Sequence, residues 1–100
     1  MRSEAQKNPK MNQNFGKDSP TTAPRFTSLQ GQYLAFIYAY TRVIGRPPAE
    51  ADMQRHFRVT APTIHQMVLT LERNGLLKRE PGVARSIQLL VVPEELPILR

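Results

Sequence analysis

Cysteine is absent from the 100 residues, which excludes a disulfide framework, a thiolate metal site and a cysteine nucleophile together. Equally missing is any run of about 18 apolar residues able to span a bilayer, and the opening MRSEAQKNPKMNQNFGKDSP lacks the apolar centre of a signal peptide. A soluble, cytoplasmic chain with no membrane as a partner is therefore expected. Paired acids flanking a cleft are not discernible, nor is a Ser, His and Asp arrangement, so no enzymatic site and no cofactor is expected. No internal repeat is visible. His56 and His65 fall on separate predicted helices with no cysteine or matched acid beside them, which argues against a metal centre.

What the chain does have is positive charge and enough apolar residues for one small core. Fourteen Lys and Arg face eight Asp and Glu, for a formal charge of +6, and 40% of residues are hydrophobic. A basic excess attracts polyanions at long range, although many small proteins are basic without binding any. Residues 1–25 are rich in Asn, Gln, Ser, Thr, Pro and Lys and poor in large apolar groups. They cannot bury enough surface to repay the entropy of ordering, so a disordered basic tail is expected there. One domain should follow over residues 26–92, with a short C-terminal extension at 93–100.

Thr27 or Ser28 can cap a first helix whose apolar set is Tyr33, Leu34, Ile37, Tyr40 and Ile44, with Gly45 as its terminator. Pro47 and Pro48 then force an extended link. A short second helix fits residues 49–57, turning Ala51, Met53 and Phe57 to the core and placing Glu50 and Asp52 at its positive end. After a tight turn at Arg58 and Val59, Thr60 can cap a third helix over residues 60–74. Pro62 sits in its first turn and Gly75 follows its end. The segments LLKRE and SIQLLVV read as two strands of a hairpin with a basic Pro-Gly tip. Leu96, Ile98 and Leu99 in the remainder should prefer burial. The expected fold is mainly α with a small β-hairpin, a three-helix winged helix-turn-helix.

At 100° per residue, Ile64, Met67, Val68 and Leu71 share one side of the third helix. Pro62, Gln66, Leu69 and Arg73 lie opposite, with Thr63 and His65 on the flanks. A polar outer face is what any amphipathic helix shows to water. In a winged helix, however, the third helix enters a major groove about 12 Å wide, where only its first turns approach base edges. Gln66 can bond adenine bidentately, Thr63 a base or a phosphate, and Pro62 could touch a thymine methyl. Lys78, Arg79 and Arg85 of the wing 78–86, with Arg46 and Arg58 at the turns, suit backbone phosphates, which position without selecting. A solubilising strand edge is the plainer account of the wing cations.

These residues resemble a known family. The stretch FTSLQGQYLAFIYAYTRVIGRPPAEADMQRHFRVTAPTIHQMVLTLERNGLLKREPGVARSIQLL, about two thirds of the chain, is similar to the N-terminal DNA-binding domain of the LexA repressors. The features that carry the likeness are Gly45-x-Pro47-Pro48, the Leu-Glu-Arg-x-Gly ending at 71–75, and Pro-Gly-x-Ala-Arg-Ser-Ile at 81–87. The resemblance implies sequence-specific duplex DNA binding, usually as a dimer on a two-half operator, to repress transcription. By position it nominates Thr60, Pro62, Thr63, His65 and Gln66 as contacts, with Arg79 and Arg85 in support.

Two departures stand out. The turn before the third helix is tighter and lacks the family's glycine, as in MarR-type and iron-dependent winged-helix regulators. The dozen residues after the wing are too few for a self-cleaving, dimerising domain, so autoproteolysis is not expected. A homodimer would then need another surface, for which Leu29, Phe36 and Val43 on helix one, joined by residues 96–99, form an apolar stripe. The alternative function is a winged-helix protein-interaction module, since fold alone does not settle function.

Overall fold

A computed structural model describes residues 25–100 of the chain; the predicted tail, apart from Arg25, lies outside the described residues. The element order is α1 (Ser28–Ile44), α2 (Glu50–Phe57), α3 (Ala61–Arg73), β1 (Leu77–Lys78) and β2 (Gln88–Leu89), followed by a 3-10 turn at Pro93–Glu95. Three helices with a two-stranded antiparallel wing make the expected winged helix-turn-helix.

Local chemistry accounts for each boundary. Thr27 accepts from the Gln30 N–H while the Gln30 side chain returns a bond to the Thr27 N–H, a reciprocal cap that satisfies two otherwise orphaned donors. Gly45 ends α1 at φ +92°, a left-handed conformation that side chains disfavour. Thr60 caps α3 through the Thr63 N–H at 3.4 Å, with Pro62 in the first turn. At the other end the Leu76 N–H reaches back to the Leu71 carbonyl and the Gly75 N–H to that of Glu72, so the chain reverses directly into β1.

The core gathers Tyr33, Leu34 and Ile37 of α1, Met53 of α2, Ile64, Val68 and Leu71 of α3, and Leu76, Leu77, Ile87 and Val91 from the wing and its flanks. The Tyr33 and Phe57 rings stack with centroids 4.0 Å apart, locking α2 to α1. Some expectations fail. Ala51 is exposed and its neighbour Asp52 is buried instead, because Asp52 meets basic partners described below. Ile44 is 52% exposed, since it lies in the last turn of α1, clear of the core helices. The predicted strands shrink to a ladder pairing Leu77 with Leu89 and Lys78 with Gln88.

Beyond the wing the chain returns along α1. Buried Gln32 donates to the Ile98 carbonyl at 2.9 Å and accepts from the Arg100 N–H at 2.8 Å, and Arg25 pairs with Glu95 at 3.2 Å. Gly31 permits the close approach: a Cβ there would lie 3.0 Å from the Phe26 ring and 3.1 Å from Pro97. Leu96 packs on the core, whereas Ile98 stays exposed because only its backbone is held. The expected stripe on helix one is interrupted. Leu29 and Val43 are exposed, but Phe36 between them stacks on His56 and meets Phe57 edge-on.

Candidate nucleic-acid interface

Ile64, Val68 and Leu71 are fully buried, and Met67 packs against them. This pins α3 by one side and leaves Thr60, Pro62, Thr63, His65, Gln66 and Arg73 exposed together. Pro62, Thr63, Gln66, Met67 and Thr70, together with Gln30 of α1, line a shallow groove along that face. The hydroxyls of Thr60 and Thr63 are 2.9 Å apart, so the two act as one hydrogen-bonded unit. Arg73 donates to the Thr70 hydroxyl, which itself donates to the Gln66 carbonyl. Leu69, expected opposite the core, is half-buried.

On the flank of α3, His65 Nδ1 lies 3.2 Å from Glu50 Oε2 in the first turn of α2. The pair lines a cleft of about 350 Å³ between α2, α3 and the wing, together with Arg79, Val83 and Arg85. His56, meanwhile, stacks on Phe36. The two histidines therefore have unrelated surroundings, and no group of three or more metal-ligating side chains occurs among the described residues.

The wing cations divide into two kinds. Lys78 is exposed, as are Arg46 and Arg58, and none of these three forms an ion pair among the described residues. Arg79 and Arg85 are instead turned to the protein. Arg79 pairs with Glu72 at 3.2 Å, tying the wing to the end of α3. Arg85 donates to Asp52 at 3.0 Å, to the Tyr40 hydroxyl at 3.2 Å and to the Pro47 carbonyl at 3.4 Å. One guanidinium thus joins the wing to α1, the proline link and α2. Both arginines nominated for phosphate contacts thus bond to partners within the protein, Arg79 through Nε and Arg85 through one terminal nitrogen. At the wing tip, Ser86 donates to the Val83 carbonyl and accepts from the Glu80 N–H, folding the turn around Gly82 at φ +78°.

The tight turn before α3 has a physical basis too. Arg58 adopts φ +58° and closes α2 by donating its N–H to the Gln54 carbonyl, so a non-glycine residue holds the left-handed position usually left to glycine.

Asp52 anchors this arrangement. Its Oδ2 accepts from the Ala49 N–H at 2.8 Å and from Arg85, while Oδ1 pairs with Arg55. The Ala49 bond foremost, then the two guanidinium groups, hold its carboxyl below the usual carboxylate range against the opposing effect of burial. A depressed folded-state value contributes stability above the unfolded pKa that is lost as pH falls through the folded one. Urea midpoints should therefore drop as pH is lowered from about 5 to below 4, and Asp52→Asn should flatten that dependence. Parallel pH profiles for the two proteins would contradict the assignment.

Glu50 and Asp52 were legible in the sequence only as acids at a helix start. Asp52 stands three residues after the cap position, where a side chain can reach back to the cap N–H, and that spacing was the available signal. Nothing local marks the partnership of Glu50 with His65.

A family model described as the LexA DNA binding domain matches residues 23–86; it describes a DNA-binding domain, not a catalytic one. Over 72 residues the chain is 38% identical to the LexA repressor of Thermosipho africanus, which covers 72% of this chain and 36% of that protein. The LexA repressor of Bartonella quintana is 31% identical over 71 residues, 70% of this chain and 30% of its own length. That of Thermosipho melanesiensis is 34% identical over 74 residues, 74% and 37% respectively. The chain thus spans about a third of the length of these curated relatives. With a pinned third helix, a tethered wing and a family match over more than half its residues, the chain belongs to the LexA DNA-binding domain family.

Proposed function

We propose that the chain binds duplex DNA sequence-specifically and represses transcription in the cytoplasm. The observation that carries this reading is the exposed cluster at the start of α3, held outward by the buried Ile64, Val68 and Leu71. Its relatives are named repressors, which supports the direction of regulation. Pro62, Thr63, His65 and Gln66 are the base-reading residues, with Thr60 at the cap; Arg46, Arg58, Arg73 and Lys78 contact phosphates. Arg79 and Arg85 serve the same interface indirectly by holding the wing. Two copies on paired half-sites would use Leu29, Val43 and Ile98, which are exposed.

Selection of bound duplexes from a random pool tests this. An enriched motif is expected, with two related halves if two copies bind together. Gln66→Ala should erase the preference at one base pair, worth about 1 to 3 kcal/mol, and spare binding to unrelated DNA. A pool that yields no motif, with binding insensitive to salt, would favour a protein-interaction module instead.

A further inference from the structure

Glu50 puts a negative charge beside the face proposed to meet phosphates. Among the described residues its carboxylate neither caps an N–H nor pairs with an arginine, and its side-chain partner there is His65, Oε2 to Nδ1 at 3.2 Å. An ionised carboxylate has only acceptor atoms, so the proton between them belongs to Nδ1. A neutral imidazole carries one proton, and the bond made by one nitrogen decides the character of the other. With Nδ1–H committed to Glu50, Nε2 is an acceptor. Both side chains remain partly open, at 48% and 38% exposure, so a ligand can reach the ring without displacing its partner. The other charged groups lining the cleft, Arg79 and Arg85, are engaged by Glu72 and Asp52 and leave this pair undisturbed.

We infer that Glu50 is a positioning residue for base recognition: it holds His65 in the Nδ1–H tautomer, so that Nε2 presents a hydrogen-bond acceptor to the major groove. The inference rests on the reading of α3 as the base-reading helix. Major-groove edges offer an acceptor two partners, the amino groups of cytosine and adenine, whereas guanine and thymine present oxygen or nitrogen acceptors. A residue on α2 thereby excludes guanine and thymine from the base that His65 faces. The opposite tautomer, with hydrogen on Nε2, would admit them, and adenine through its N7 as well.

Two measurements on the full chain test this. Long-range ¹H–¹⁵N spectra of labelled histidine, at about pH 9 where an ordinary imidazole is neutral, should show the Nδ1–H pattern for His65. Glu50→Gln keeps an acceptor and should preserve it; Glu50→Ala should release the ring toward Nε2–H. Glu50→Lys, which offers a donor to Nδ1, should reach the same state and serves if the alanine variant does not fold. An Nε2–H ring in the unaltered protein, or no change in either variant, overturns the inference. In duplex selection at that pH, the position whose preference is lost in His65→Ala should carry cytosine or adenine. Glu50→Ala should raise acceptance of guanine and thymine there on the order of tenfold, adenine remaining tolerated through its N7. An unchanged preference overturns the inference alone, as does a motif indifferent to His65→Ala. An unaltered chain that binds no duplex overturns the proposed function itself, whichever tautomer is observed.

Discussion

Ile64→Ala should remove about 2 to 5 kcal/mol of folding stability, from a total of only about 5 to 15 in domains of ordinary size. Ile64 is completely buried among Met53, Val68, Leu71 and Leu76, and it directly precedes His65 on α3. Truncation leaves a cavity at the point where α3 meets α2, on the side opposite the polar cluster. The loss should appear as a lower urea midpoint with an unchanged slope, the signature of altered stability without altered compactness. DNA affinity should fall in the same preparation as the partly unfolded fraction grows. A change below about 1 kcal/mol would mean that α3 is not pinned by this side chain.

The second large effect concerns the wing. Arg85→Ala removes at once the bonds to Asp52, Tyr40 and Pro47, and leaves a buried carboxylate with Arg55 as its remaining basic partner. The wing should lose its fixed placement against α1 and α2. Affinity for every duplex should then drop, because a mobile wing must be ordered on binding. The salt dependence should nevertheless keep its slope, since on the proposed reading Arg85 holds the wing and does not neutralise a phosphate. Arg46→Ala supplies the contrast: its log-log slope should fall by about 0.9, the value for one phosphate contact on duplex DNA. A similar flattening in Arg85→Ala would show that the guanidinium swings out to the backbone when DNA is present.

The contrast between α3 and the wing explains what was readable beforehand. Helix limits follow from near neighbours, and Thr27, Gly45, Thr60 and Gly75 announce them within a few residues of where they act. The outward cluster on α3 is equally local, because its position follows from the spacing of Ile64, Val68 and Leu71. The orientation of Arg85 depends on Tyr40, Pro47 and Asp52, up to 45 residues earlier, and no periodicity encodes such a meeting. Charge by itself suggested phosphate contacts; burial of Asp52 turned that arginine inward. The same limit applies to Gln32, whose partners at Ile98 and Arg100 lie 66 and 68 residues away. It applies again to Glu50, which reads as a helix-start acid until α3 is folded against it.

Titration of the ¹⁵N-labelled chain with a duplex carrying the selected motif tests the central claim most directly, through the backbone amides that shift. Saturable changes concentrated at residues 60–66 and around Lys78, with Ile64, Val68 and Leu71 still protected from hydrogen exchange, are the predicted result. An unperturbed start of α3, with changes confined to the exposed Val43, Leu90 and Val92, would contradict it.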